Sequence, residues 1–176
     1  MKNVYSLLFA ILSFATAHAQ TDLSEHGTAN CYVVSQSGDY RFKAVRGNGS
    51  QGFDGAIKSC SVLWESFGSD TAPLPGELIS EALYSDGYLI IRIPEPFRKG
   101  NAVVAAKDDK GDVLWSWHIW LTDIPQGQEF LNGDVVMDRN LGAISASPLS
   151  HESYGLLYQW GRPSMLSKSA SGRGRT

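Results

Sequence analysis

The sequence has little cysteine, little histidine and, past its first nineteen residues, no long apolar run. Two cysteines among 176 residues exclude a disulfide-dense scaffold and the clustered thiols of a zinc site. The four histidines show no HExxH spacing, so no transition-metal centre is expected and no cofactor is implied. Positive charge is also scarce. Fifteen Lys and Arg face eighteen Asp and Glu, for a net charge of −3, and the visible basic clustering falls between Arg162 and Arg175. Without a clustered basic face, nucleic acid is not an expected partner. There is no GxSxG elbow, no phosphate loop with its Lys-Ser/Thr, and no amphipathic helical stretch of useful length.

What the sequence does have begins with a leader. Lys2, an apolar run from Leu7 to Ala17 and the small-x-small pattern Ala17-His18-Ala19 read as a cleaved secretory signal over residues 1–19. The run is too short to span a bilayer comfortably, so the mature chain is expected to be exported without a transmembrane helix, in the periplasm, at the outer surface or secreted. Loss of Lys2 with the leader makes the mature chain one charge more negative.

Residues 20–28 form a short lead. From there to Thr122, short β-branched and aromatic runs alternate with turn residues. YRFKAV (40–45) alternates with period two, the signature of a half-buried strand. Ser85-Asp86-Gly87 and Asp108-Asp109-Lys110-Gly111 separate strand pairs as hairpin turns. Seven such strands predict an immunoglobulin-like antiparallel β-sandwich over 29–122, followed by a truncated second unit. That unit covers 123–162, and the apolar stretch YGLLYQWGR (154–162) has no later strand to cover it. The Ser, Gly, Lys and Arg of 163–176 predict a disordered tail, and a shifted reading frame after Gly161 is one origin for so abrupt a change.

Cys31 and Cys60 admit two readings in an exported chain: a disulfide closing a loop of roughly 30 residues, or two small buried thiols on neighbouring strands. The richest aromatic stretch, LWSWHIW (114–120), divides by strand parity. Val113, Trp115, Trp117, Ile119 and Leu121 make an apolar core face, while Leu114, Ser116, His118 and Trp120 make a mixed face. Trp120, with His118 and Ser116 beside it, is the candidate ligand-binding platform, for sugar stacking or for contact with another domain. Asp134, Asp138 and Asn140 offer oxygen ligands but match no calcium loop, and Arg139 between two of them favours ion pairs and turn hydrogen bonds.

MDRNLGA (137–143) followed by YGLLYQWGR resembles the opening of the Fibrobacter succinogenes major paralogous domain, a family of exported and surface proteins of Bacteroidetes and Fibrobacteres. The motif positions are Met137, Asp138, Arg139, Asn140, Leu141, Gly142, Tyr158, Gln159, Trp160, Gly161 and Arg162. The resemblance implies a non-catalytic surface module with a fold related to C-type lectin-like domains. It departs from the family at Pro163-Ser164-Met165, where a Lys-Asp-Pro-Phe-like continuation is common. The sequence therefore predicts a non-enzymatic, exported cell-surface or adhesion-type protein whose partner is a glycan or a surface protein. The alternatives are a carbohydrate-binding module linked to polysaccharide use and, lower, a hydrolase built on Asp138 and His118.

Overall fold

A computed structural model describes residues 20–47, 53 and 55–158. The leader over 1–19, most of the glycine-rich loop at 48–54, the motif residues Gln159 to Arg162 and the polar tail lie outside the described residues. The described chain is almost entirely strand and turn. In order the strands are β1 (Thr21–Asp22), β2 (Cys31–Val34), β3 (Gly38–Lys43), β4 (Ser59–Ser66), β5 (Glu81–Ser85), β6 (Tyr88–Ile93), β7 (Gly100–Lys107), β8 (Val113–Leu121), β9 (Gly127–Glu129) and β10 (Val135–Met137). One 3-10 turn, His151–Ser153, follows. Among the described residues no helix is long and apolar enough to cross a membrane.

The first eight strands make two four-stranded sheets, β1-β3-β6-β5 and β2-β8-β7-β4, the strand order of an immunoglobulin-type sandwich. The expectation of wholly antiparallel pairing is corrected at two edges: β1 runs parallel to β3, and β2 parallel to β8. The second pairing follows from the chain's path. The N-terminal segment lays β1 on one sheet and then crosses to lay β2 on the other, where it enters alongside β8 instead of returning from it in a hairpin. The lead at 20–28 thus contributes a strand of its own, held by Leu23 N–H donating to the Arg41 carbonyl at 2.8 Å.

The turns behave as their residues require. Asp86 and Gly87 both take positive φ, 51° and 82°, which matches the twist of the β5–β6 hairpin. The Asp108 carboxylate accepts from the amides of Lys110 and Asp112, closing the β7–β8 turn. Leu78 and Ile79 are buried and lie just ahead of β5, outside its ladder. Their backbone amides, with that of Gly76, donate to the Glu65 carboxylate at 2.6–3.1 Å, so a side chain of β4 replaces the ladder the sheet does not supply.

Between the sheets lie Tyr32, Val34, Tyr40, Phe42, Leu89, Ile91, Ala102, Val104, Trp117, Ile119 and Leu121. Phe42 sits at the centre, 4.8 Å from the Tyr32 ring and edge-on to Trp117 at 5.7 Å. The predicted core face of β8 holds at Trp117, Ile119 and Leu121 and weakens toward the strand's start. Trp115 is half-buried against the core, with the Arg46 guanidinium over its ring, and Val113 is exposed.

The cysteines do not pair. Cys31 lies on one edge strand of its sheet and Cys60 on the opposite edge, with β8 and β7 between them. Three strand spacings amount to roughly 14 Å, against the Cα separation of about 4.4–6.8 Å that a disulfide spans. The register offsets them further, since Cys31 stands opposite His118 while Cys60 aligns through Ala106 with Trp115. The disulfide reading is corrected: both are thiols, and burial pushes each up to about 12.

Candidate functional site

Parity places Asn101, Val103 and Ala105 of β7 beside Ser116, His118 and Trp120 of β8 on the outer face of their sheet, away from the core. In a bare sandwich these six side chains would face water. All six are buried, Trp120 to 1% exposure and His118 to 3%. The cover is the chain's own continuation. After the β9–β10 hairpin, residues 138–158 turn back over the sheet, burying Ala143 and Ile144 in the process.

The docking is largely polar. Trp120 Nε1–H donates to the Ala143 carbonyl at 3.1 Å, and Asn101 Nδ2 donates to the Gly142 carbonyl at 2.9 Å. With its amide so committed, Asn101 presents Oδ1 to His118 Nε2 at 2.9 Å. This fixes the imidazole as the Nε2–H tautomer and leaves Nδ1 as the acceptor. Two donors meet it there, the Cys31 thiol at 3.1 Å and the Tyr158 hydroxyl at 3.5 Å. Burial pushes the imidazole down to about 3, so His118 is neutral over the ordinary pH range.

A second set of contacts holds the segment where it leaves the hairpin. Arg139, 4% exposed along its side chain, donates to Asp138 and Asp123 at 2.8–2.9 Å and to the Thr122 hydroxyl at 3.3 Å. Lys99 Nζ also reaches the Asp123 carboxylate. Hydrogen bonds from Arg139 and Lys99 hold Asp123 well below the usual carboxylate range, and the bond from Arg139 lowers Asp138. Arg139 and Asp138 are thus ion-paired, as their adjacency in sequence predicts. Asn140 donates to the Ser153 carbonyl at 3.3 Å and, with Ala143 N–H on its own carbonyl, shapes the turn that presents Gly142. Gly142 has φ 81°, and a Cβ there would stand 2.5 Å from Leu156 and 3.1 Å from Asn101 Oδ1. Only glycine fits between segment and sheet.

The predicted site residues therefore come together as a contact with a later part of the chain, the alternative to sugar stacking that the sequence offered for Trp120. Ser116, His118 and Trp120 share a face with each other and with the motif residues Gly142 and Tyr158, but as parts of one packed contact. The reading of Trp120 as an open stacking platform is corrected, because the Ala143 segment occupies that place. Met137 is exposed on β10, and Asp134 bonds locally to Asn132. His118 and Asp138, the pair considered for hydrolysis, have separate partners: His118 bonds Asn101 and Cys31, Asp138 bonds Arg139. The residue that sequence reasoning missed is Asn101. Its signal is parity, an amide on a strand whose other outward residues, Val103 and Ala105, are small and apolar.

No family model, no curated protein and no solved structure matches the chain.

Proposed function

We propose that the protein is a non-catalytic, exported surface module of adhesion type, in which a sandwich carries a binding segment made by residues 123–158. The observation that carries this reading is where apolar surface is left bare. Among the described residues, ten of the fourteen exposed large hydrophobic ones lie between Ile124 and Tyr158, among them Leu131, Val135, Val136 and Leu149. Soluble proteins rarely leave much apolar surface uncovered without a partner for it. The leader and the motif pair MDRNLGA and YGLLYQWGR support export and a surface role. The polar groups that would serve chemistry are engaged with one another, which supports a binding role over turnover.

The test has two parts. The mature chain should begin at Gln20 and be removed from intact cells by added protease; a chain that keeps residues 1–19 and stays in the cytosol overturns the reading. Replacing Leu131 and Val136 together by Ser should then abolish cell attachment to glycan- or protein-coated surfaces while leaving the unfolding midpoint unchanged. Attachment that survives the double replacement counts against the segment as the binding element. Glycan binding through Trp120 has a narrower requirement, since the Ala143 segment must first leave the ring.

A further inference from the structure

We propose that residues 139–158 form a pH-operated strap, lifted from the sandwich by protonation of His118. The groups that face the imidazole decide the matter. From β2 comes the Cys31 thiol, from β7 the Asn101 amide, from β8 Ser116 and Trp120, and from the strap the Tyr158 hydroxyl. The titratable ones, Cys31 and Tyr158, are both donors to Nδ1, and no carboxylate is among these contacts. An imidazolium at this place would carry a buried charge without a counter-ion, and its new Nδ1–H would point at groups that had been donating to it.

Relief is available on one side alone. The inner face of β8 is the sandwich core, with Trp117, Ile119 and Leu121 fully buried, whereas the outer face is closed by a segment that contributes none of the eight strands of the two sheets. Lifting the strap returns His118 to water and releases Trp120 Nε1–H and Asn101 Nδ2 to solvent at the same time. The pairings among β1 to β8 remain.

The sign follows from linkage. His118 titrates near 3 with the strap down and near the ordinary 6.5 once exposed, so the lifted state binds more protons throughout that window. Docking is full above 6.5, weakens by about tenfold per unit below it, and falls about 25-fold between pH 7 and pH 5. Asp123 and Asp138 stay charged, and burial keeps the Cys31 thiol protonated. His26 and His151 are exposed, and the His151 ring lies tilted against Tyr154 within the strap itself.

Hydrogen exchange on the full mature chain tests this, read as protection factors corrected for the intrinsic pH dependence of exchange. The proton to follow is Trp120 Nε1–H, whose acceptor, the Ala143 carbonyl, leaves with the strap, with β3 and β6 amides as internal reference. Between pH 7 and 5 the Trp120 indole proton should lose about 25-fold in protection while the reference amides hold. His151→Gln should keep the response and His118→Gln should abolish it. Equal loss in His118→Gln, no loss in the parent, or loss of the indole proton and the reference amides together would each overturn the proposal. Should His118→Gln not fold, the imidazole resonances of the parent chain decide: the His118 titration midpoint must coincide with the midpoint of indole protection, and a mismatch overturns the switch.

Discussion

The two faces of β8 are buried to the same degree by different physics. On the inner face Trp117, Ile119 and Leu121 meet the opposite sheet through apolar area, and the one polar group, Trp117 Nε1–H, is satisfied at the rim by the Val45 carbonyl at 3.2 Å. On the outer face Ser116, His118 and Trp120 meet a returning segment, and each long polar side chain there needs a named partner. Apolar burial is spread over many weak dispersion contacts, so it is tolerant of the loss of any one of them. A buried hydrogen-bond network is not, because a donor left without its acceptor keeps the whole cost of its desolvation. The difference teaches that the sandwich supplies stability and the segment supplies a conditional contact.

Four substitutions or conditions break or sharpen that contrast. The largest effect is expected for Trp117→Ala, which opens a cavity beside Phe42 and should cost about 3–5 kcal/mol of global stability, read from the denaturation midpoint. Asn101→Ala comes next. It leaves the Gly142 carbonyl and His118 Nε2–H without partners and should cost about 2 kcal/mol. Here the loss should appear first as exchange or proteolysis within 139–158, ahead of the sandwich. Gly142→Ala should act in the same region at about 1–2 kcal/mol, from the positive φ and the crowding against Leu156. If instead these two variants unfold the whole chain in one step with unchanged local protection, the segment is part of the core and the contrast fails.

The smallest effect is expected for the thiols. Reducing agent should leave the unfolding midpoint within about 0.5 kcal/mol of its value, since no bridge exists to break. Two thiols should be titrated by a thiol reagent in denaturant without prior reduction. A result of zero would restore the disulfide and require β2 and β4 to be neighbours.

Much of the sandwich was legible because its signals are local. Period two in YRFKAV, the Asp-Gly turn at 86–87 and the prolines closing β6 each act within a few residues, and they locate seven strands between Cys31 and Leu121. β1 and β9 were not legible. Thr21–Asp22 is too short to show a period, and Gly127-Gln128-Glu129 has no strand preference of its own and is a strand by virtue of pairing with Val135–Met137. The cysteine question was decided by strand order, which no local pattern encodes. Parity correctly grouped Ser116, His118 and Trp120, but it reports which residues share a face and not what covers that face. The cover comes from residues more than twenty positions downstream, and Asn101, which links it to His118, was hidden in an otherwise apolar strand. Arg139 was the part of the contact that sequence anticipated, through the carboxylate next to it.

The most direct test of the account is the Trp120 indole at neutral pH, observed by NMR. A closed outer face predicts slow solvent exchange of its Nε1–H, comparable to that of Trp117, and a cross-peak from that proton to Ala143. Exchange at the rate of a free indole, with no contact to Ala143, would contradict it, and would return Trp120 to the surface as an open platform.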